Sequence, residues 1–244
     1  MNIVGVIPAR YASSRYPGKP LVKLLGKPMI IWVAEAAIAA LGDNVFVATE
    51  DERIADVVSD FGLKAVMTSD RPLTGTDRLW EFSLKVEADL YVNIQGDEPL
   101  IEPSDILKVL ECKKQHPDET VCGMRKISSD EDPSNVNLPK VVVTKDMRMA
   151  YMSRLPVPGS KSADKVPDFW KQVCIYAFDK AQLAAFGEFG GKGYAEHFED
   201  IEMLRFLELG IATRMVEVGG SSYAVDVPGD VEIVENALRK KYGL

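Results

Sequence analysis

Apolar and polar residues alternate in blocks along the first 115 residues, and the blocks predict a repeating order of strand, loop and helix. Short runs rich in β-branched residues predict buried strands of a parallel sheet, whereas longer runs with helical spacing predict helices. The predicted strands are Asn2–Pro8, Val45–Ala48, Ala65–Met67 and Asp89–Ile94, and the predicted helices are Pro28–Leu41, Asp51–Phe61, Asp77–Val86 and Ser104–Lys114, with Ser104 as an N-cap. This alternation is typical of an α/β fold with a doubly wound, mostly parallel sheet.

The pattern changes after this region, where short apolar runs follow one another with polar turns and no long helix between them. These runs predict strands at Thr120–Lys126, Lys140–Thr144, Met149–Met152 and Val173–Phe178. They indicate a small antiparallel annex over residues 120–180 within a single domain of residues 1–244, and we expect this exposed sheet to be a dimer surface. The last predicted elements are a helical stretch over Phe198–Leu209, a strand over Ala212–Val218 and a helix over Asp230–Lys241.

Composition places the chain among folded proteins, because 46% of its 244 residues are hydrophobic and 27% are charged. The net charge of −8 argues against DNA or RNA as the main ligand. Residues 1–34, however, contain no acidic residue and carry a charge of +5, which leaves −13 for the rest of the chain. The cations of this segment are Arg10, Arg15, Lys19, Lys23 and Lys27. Such a stretch in an acidic protein predicts a site for a small anion.

Several classes of protein are excluded by simple counts. The most apolar stretch, Met29–Leu41, is interrupted by Glu35 and is too short to span a bilayer, so we expect no membrane insertion. The N-terminal apolar run precedes the basic residues, which is the reverse of a signal peptide. Three cysteines without C-x-x-C spacing predict reduced thiols in a cytoplasmic protein. With two histidines in the chain, a histidine metal cluster or a Ser-His-Asp triad is not expected.

The loop that follows the first strand, residues 8–20, concentrates cations among small residues. It offers Arg10, Arg15 and Lys19 with Ala, Ser and Gly neighbours, and it matches neither a Walker loop nor G-x-G-x-x-G. A triphosphate needs several cations and backbone N–H groups that converge on one anion. The alternative is a solvated basic turn. Three cations without an intervening acid, placed directly after a strand, favour phosphate binding.

Two aspartates follow apolar runs in a way that suggests a metal site. Asp97 lies in Gln95–Pro99, after the strand that ends at Ile94, and Asp226 lies in a similar position after Val225. In open α/β sheets, ligands bind beyond the carboxyl ends of the strands, and Mg²⁺ takes one or two carboxylates together with phosphate oxygens. Either aspartate alone is more often a cap than a ligand. The pair, together with the cationic loop, predicts a two-carboxylate Mg²⁺ site.

Four motifs together resemble the 3-deoxy-manno-octulosonate (KDO) cytidylyltransferases, also called CMP-KDO synthetases. The motifs are Ala9-Arg10 through Pro20, Gly75-Thr76-Asp77-Arg78, Gln95-Gly96-Asp97-Glu98-Pro99 and Val225-Asp226-Val227-Pro228. The resemblance runs from Ile3 to about Leu238. The first motif is shared with other nucleotidyltransferases, such as the CMP-sialic acid synthetases, whereas the second and third favour the octulosonate branch.

The resemblance implies a fold of the nucleotide-diphospho-sugar transferase type, a homodimer, and a Mg²⁺-dependent reaction that serves lipopolysaccharide synthesis. In this reaction the anomeric hydroxyl of an acidic 2-keto-3-deoxy sugar attacks the α-phosphorus of CTP, giving CMP-sugar and pyrophosphate. By the same match, the nucleotide is held by Ala9, Arg10, Ser13, Arg15 and Lys19, the catalytic residues are Lys19, Asp97 and Asp226, Mg²⁺ is bound by Asp97 and Asp226, and the sugar is bound by Arg78, Gln95, Gln172, Tyr176, Glu202 and Met203.

The departures from the family pattern fall on the sugar side. Gln172 stands where the family has a His, Met203 stands where it has a Gln, and residues 72–74 differ from the usual H-x-S. Loss of hydrogen-bonding groups in one pocket, with the phosphate motifs intact, favours altered sugar specificity over drift. We therefore expect 8-amino-3,8-dideoxy-manno-octulosonate to be preferred over KDO. Plain KDO, a sialic-type sugar, and an inactive nucleotide-binding paralogue are the alternatives. The roles of Trp170 and His197 stay open.

Overall fold

Strands and helices alternate through most of the chain in a computed structural model that describes residues 1–12, 16–162, 164–220 and 223–243. The strands are β1 (Ile3–Ala9), β2 (Lys23–Leu24), β3 (Lys27–Pro28), β4 (Val45–Thr49), β5 (Lys64–Met67), β6 (Leu90–Ile94), β7 (Thr120–Lys126), β8 (Lys140–Val143), β9 (Met149–Ser153), β10 (Trp170–Asp179) and β11 (Thr213–Glu217). The helices are α1 (Met29–Leu41), α2 (Glu52–Asp60), α3 (Gly75–Ser83), α4 (Pro103–Gln115), α5 (Lys180–Glu188), α6 (Tyr194–Glu199), α7 (Met203–Glu208) and α8 (Asp230–Tyr242).

The main sheet has the strand order β11-β7-β10-β6-β1-β4-β5. Neighbouring strands are parallel except at β10, which runs antiparallel to both β6 and β7. One core packs α1, α2 and α4 against the sheet, and a second core contains residues of α3, α5 and α7. The predicted doubly wound, mostly parallel α/β fold is therefore confirmed.

The direction of β10 determines what surrounds the site. Ile175 pairs with Ile94, the last residue of β6, so the residues of β10 before Ile175 extend beyond the carboxyl end of β6. There β10 pairs with β8, and β8 pairs with β9, both antiparallel. Strands β7, β8, β9 and β10 thus pair antiparallel within the same nine-stranded sheet, and the annex over residues 120–180 stays a prediction.

Helix boundaries differ from the prediction where capping decides them. Helix α3 begins at Gly75, before the predicted start, because Thr74 and Asp77 form a capping box. Ser104 is not an N-cap: α4 begins at Pro103, a favourable first position, with Glu102 as its N-cap. The predicted helix over 198–209 is two helices, α6 and α7, because Asp200 has a left-handed φ of 50°. Helix α5 and the β2–β3 hairpin were not predicted.

Within the described ranges, no helix is both long and apolar enough to cross a bilayer. Cys112, Cys122 and Cys174 are free thiols, in agreement with the prediction.

Helix α8 packs against α1 and the β2–β3 hairpin through Trp32, Leu24 and Leu238. This packing brings the segment before α8 to the carboxyl edge of β6.

Candidate active site

The loop after β1 presents two of the predicted nucleotide-binding residues at the carboxyl edge of the sheet. Ala9 is buried at the end of β1, and Arg10 is exposed directly after it. The loop returns through Gly18, whose φ of +70° favours glycine and whose N–H donates to the carbonyl of Tyr11 at 2.9 Å. A single 3₁₀ turn, Lys19–Leu21, then follows. Ser13 and Arg15, which are predicted to bind phosphate, lie outside the described residues.

Lys19, Asp97 and Asp226 meet at the point where these segments converge. The Nζ of Lys19 lies 2.7 Å from Oδ2 of Asp97 and 3.4 Å from Oδ1 of Asp226. All three side chains are partly buried, with 15%, 29% and 30% of their surface exposed. The structure thus brings together the three predicted catalytic residues, which are far apart in the sequence.

Two sets of backbone bonds hold the aspartates in place. The N–H of Val225 donates to the carbonyl of Asp97 at 3.0 Å, which ties the two segments together. Asp230, the first residue of α8, accepts hydrogen bonds from the N–H groups of Asp226 at 2.7 Å and Val227 at 2.9 Å. The position of the Asp226 carboxylate is therefore set by the beginning of α8. The contact of Asp230 with these N–H groups was not predicted, although the last predicted helix begins at Asp230.

The donor set of Asp97 and Asp226 suits a hard divalent cation such as Mg²⁺. Both carboxylates already contact one cation, the ammonium of Lys19, so their oxygens face a common point. In the part of the chain that the structure describes, no group of three or more His, Cys, Asp or Glu side chains could hold a metal. Mg²⁺ completes its coordination with water and substrate phosphates, so this pair could hold it once those ligands are supplied.

A first cleft of about 220 Å³ opens beside the loop that follows β1. It is lined by Ala9, Arg10 and Lys19 on one side, and by Thr74, Gly75, Arg78 and Gln95 on the other. Arg78 is buried and pairs through Nη2 with Oε2 of Glu50 at 2.9 Å. Burial lowers the pKa of Arg78, and the carboxylate of Glu50 opposes that shift. The structure places Arg78 in this first cleft; its predicted contact with the sugar stays a prediction.

A second, larger cleft of about 670 Å³ adjoins the first. The two clefts share six lining residues, among them Arg10, Gln95 and Asp97. The second cleft is also lined by Arg154, Lys171, Gln172, Tyr176 and Glu202. An acceptor in the second cleft would therefore approach a nucleotide in the first one near Asp97.

Gln172 and Tyr176 form one wall of the second cleft, on the part of β10 that reaches the carboxyl edge. The Nε2 of Gln172 donates to the hydroxyl of Tyr176 at 3.0 Å, and both side chains are buried. Burial raises the pKa of Tyr176 well above its ordinary value, so the phenol stays neutral. The pair offers fixed hydrogen-bonding groups to a polar ligand.

Glu202 and Gln95 also line the second cleft and connect it to α3. Oε1 of Glu202 accepts from Nε2 of Gln95 at 3.1 Å, and Oε2 accepts from the N–H of Thr76 at 2.8 Å. Burial raises the pKa of Glu202, and the bond from the N–H of Thr76 opposes that shift. Glu202 thereby orients Gln95, which lines both clefts.

Met203 and two residues with open roles lie outside the clefts. Met203 is fully buried in the core with α3 and α5 and lines neither cleft, so these clefts lend no support to its predicted contact with the sugar. Its neighbour Glu202 faces the cleft, whereas Met203 turns inward at the start of α7. His197 is exposed and packs edge-on against Phe198, and Trp170 lies near the ammonium of Lys126.

Several charged residues at the site were not predicted. Glu50 follows β4 at the same edge as Asp97, so the strand-end rule that identified Asp97 could have identified it as well. Lys171 is buried and forms an ion pair with Glu131, which also accepts from Arg125 at 3.1 Å. Glu131 lies in the acidic stretch Ser128–Asp132, whose composition predicts a solvated loop. No local pattern connects Glu131 with Lys171, because their contact depends on the tertiary fold.

Comparison with known proteins identifies the family. Residues 4–212 match the family model described as Cytidylyltransferase. The chain belongs to this family. The 3-deoxy-manno-octulosonate cytidylyltransferase of Escherichia coli is 41% identical over 97% of the chain and 96% of that protein. The 8-amino-3,8-dideoxy-manno-octulosonate cytidylyltransferase of Shewanella amazonensis is 38% identical over 98% of the chain and 99% of that protein.

A solved structure supports the same assignment. The structure of a CMP:2-keto-3-deoxy-manno-octonic acid synthetase complexed with CTP matches with a TM-score of 0.91 at 39% identity. The match covers 99% of this chain and 100% of that one. The family resemblance of the four motifs is thereby confirmed, and the chain is a nucleotidyltransferase of the cytidylyltransferase family.

Proposed function

We propose that this cytidylyltransferase transfers CMP from CTP to the anomeric hydroxyl of a KDO-type sugar acid, with Mg²⁺ as cofactor and pyrophosphate as the second product. The observation that carries the proposal is the junction of the two clefts at Lys19, Asp97 and Asp226. The junction gives a nucleotide and an acceptor adjacent sites beside two carboxylates. The relatives named for octulosonate substrates support the sugar class.

The first cleft suits the nucleotide. Its cations Arg10 and Lys19 can neutralise a triphosphate, and the small residues beside them leave room for the phosphate chain. A side chain on Gly96 would meet the carbonyl oxygen of Pro8 at 3.2 Å, so the two loops approach closely beneath this cleft. The glycine keeps Asp97 close to the phosphate loop.

The second cleft suits an acidic, hydroxyl-rich acceptor. Arg154 and Lys171 are cations that could attract the carboxylate of the sugar, while Gln95, Gln172 and Tyr176 offer hydrogen bonds to its hydroxyls. Buried polar groups that must be matched by the ligand discriminate strongly between similar substrates. The cleft thus explains how one sugar acid could be selected over another.

The reaction needs no covalent intermediate on the protein. A bond forms between the anomeric oxygen and the α-phosphorus, and the bond from that phosphorus to the oxygen bridging the α- and β-phosphates breaks. That oxygen leaves with pyrophosphate, and the proton of the attacking hydroxyl passes to solvent. Lys19 would stabilise the negative charge that develops on the leaving pyrophosphate. Asp97 and Asp226 would hold Mg²⁺, which when bound lowers the pKa of the attacking hydroxyl and offsets phosphate charge. Gln95, Gln172 and Tyr176, which line the second cleft, would orient the sugar.

Within this function, we favour 8-amino-3,8-dideoxy-manno-octulosonate as the acceptor. Its amine is an ammonium at neutral pH, and three carboxylates besides those assigned to Mg²⁺ line the second cleft. They are Glu98, Asp200 and Glu202. The place where the family has a His is occupied by Gln172, which is bonded to Tyr176. An acidic cleft favours an ammonium over a hydroxyl.

The test is pyrophosphate release from CTP and Mg²⁺, with the 8-amino sugar, KDO and a nine-carbon sialic acid supplied in parallel. Release with the 8-amino sugar alone supports the whole proposal. Equal or faster release with KDO retains the reaction and refutes the 8-amino preference. Release with the sialic acid alone refutes the octulosonate acceptor, and no release with any acceptor would favour a nucleotide-binding protein without this activity.

A homodimer through the β8–β9 region is the remaining part of the proposal. Val136, Tyr151 and Leu155 are exposed apolar residues in or beside these strands. Association would cover them. Sedimentation velocity of the wild type and of Tyr151→Ser tests this: we expect a dimer in the wild type and a weaker one in the variant, and a monomeric wild type would refute it.

A further inference from the structure

Lys19 occupies the place that a metal would need. Its ammonium lies 2.7 Å from an oxygen of Asp97 and 3.4 Å from an oxygen of Asp226. These are the carboxylates that, in the function proposed above, hold Mg²⁺. The bond lengths of Mg²⁺ to oxygen are about 2.0 to 2.1 Å. An ammonium in contact with the same oxygens would crowd and repel such an ion, so Lys19 and the metal exclude each other there.

The carboxylates keep their arrangement through other contacts than Lys19. The bond between the N–H of Val225 and the carbonyl of Asp97 links their backbones, and Asp230 fixes the turn that carries Asp226. Two carboxylates held this close repel each other unless a cation lies between them. In the described structure Lys19 supplies that cation.

Lys19 can leave this position without a change in the main chain. Its backbone is fixed in the 3₁₀ turn, where its N–H donates to the carbonyl of Tyr16 at 3.2 Å and its carbonyl accepts from Val22 at 3.1 Å. The flexible four-carbon stem of a lysine allows the ammonium to swing about this fixed point. Lys19 also lines the first cleft, where the proposed function places the triphosphate.

We propose that Lys19 is the resident counter-ion of the metal site and makes metal binding depend on the nucleotide. In the nucleotide-free protein its ammonium satisfies both carboxylates and keeps divalent cations out. A triphosphate in the first cleft draws the ammonium away, frees the carboxylates and supplies the missing oxygen ligands. By linkage, the metal and the nucleotide each strengthen the binding of the other. The proposal rests on the proposed Mg²⁺ site.

The experiment measures Mn²⁺ binding to the nucleotide-free protein through the EPR signal of free Mn²⁺, so it does not depend on turnover. Lys19→Met should bind Mn²⁺ about tenfold or more tightly than the wild type, because the competing charge is gone. Lys19→Arg keeps a cation at this position and should bind as weakly as the wild type. Arg10→Met removes the same charge from the same cleft without vacating the carboxylates, and should change the affinity by less than about threefold.

The outcomes separate this proposal from the metal site on which it depends. One outcome is that the wild type and Lys19→Met bind Mn²⁺ with equal, measurable affinity and that Asp97→Asn weakens the binding in both. This result would retain the metal site and overturn the counter-ion role. An equal gain in Arg10→Met would also overturn it, since the effect would then be one of general charge. If Lys19→Met gains affinity and the double variant with Asp97→Asn loses the gain, the proposal stands. If Lys19→Met does not bind Mn²⁺, the proposal is overturned. If pyrophosphate release also proceeds without divalent cations, the proposed metal site is refuted as well.

Discussion

The buried guanidinium of Arg205 provides a sharp test of how α7 is held against the site. Nε and Nη2 of Arg205 each bond to Glu196 at 2.7 Å, and Nη1 bonds to Asp77 at 2.6 Å. Arg205 and Glu196 are both fully buried. Burial opposes the charge on Arg205, but the bonds to Glu196 and Asp77 raise its pKa above the ordinary value. The cluster therefore depends on both carboxylates.

The perturbation is Glu196→Gln, which keeps the shape and removes the charge. One carboxamide oxygen can still accept, but the NH₂ group would face N–H donors of Arg205. The N–H of Gly193, which bonds to Glu196 at 3.0 Å, also loses a charged acceptor. Removing one partner of a buried ion pair costs about 3 to 5 kcal/mol of the free energy of unfolding. Because Asp77 remains bound to Arg205, we expect the lower end, about 3 kcal/mol.

The assay is urea unfolding followed by circular dichroism. A loss of about 3 kcal/mol in the free energy of unfolding lowers the urea concentration at the midpoint of unfolding by about 1 to 2 M. Glu188→Gln is the matched control, since Glu188 is exposed at the end of α5, and its effect should stay within about 0.5 kcal/mol. A loss below about 1 kcal/mol in Glu196→Gln would refute the reasoning, because the ion pair would then contribute no more than an exposed one.

Three further predictions concern the site and its surroundings. Asp97→Asn and Asp226→Asn should each abolish Mg²⁺-dependent pyrophosphate release without lowering the melting temperature; full activity in either would remove that carboxylate from the metal site. Gln172→His should shift the ratio of kcat/KM for KDO over the 8-amino sugar upward, and an unchanged ratio would mean that this position does not contact the sugar. Burial raises the pKa of Glu131, but the bond from Lys171 outweighs burial and lowers this pKa to about 2. Glu131→Gln should therefore reduce the free energy of unfolding by about 1 to 2 kcal/mol at pH 7, after solvent screening. This stability is present above the unfolded pKa and is lost as the pH falls towards 2, so the difference from the wild type should shrink between pH 5 and 2 in unfolding experiments; a constant difference would contradict it.

The alternation of long strands and helices in the first 115 residues and the position of Asp97 could be predicted because both depend on local pattern. A buried strand followed by a polar turn identifies a strand end, and the carboxyl ends of parallel strands lie at one edge. The pairing of β10 could not be predicted in this way. Its residues form an apolar run like any other, and only the tertiary fold makes it antiparallel and carries Gln172 beyond the end of β6.

The burial of Met203 could not be predicted for a similar physical reason. The sequence pattern aligned it with a polar residue of the family, but it does not show which side of α7 faces the cleft. The structure answers this through Glu202, which reaches Thr76 and Gln95, while the next side chain joins the core. Contacts such as Lys171 with Glu131 span 40 residues and leave no signal in either segment alone.

Because β10 runs against its neighbours, the proposed sugar side and the proposed phosphate side of the site are built on different kinds of backbone. The phosphate side is a loop whose shape depends on glycine and on a few hydrogen bonds. Gln172, Cys174 and Tyr176 instead project from a strand that is bonded to both β6 and β7. Substitutions along this strand can change which acceptor fits while the ladder keeps each position fixed. Acceptor choice can therefore diverge among relatives without disturbing how the nucleotide is held.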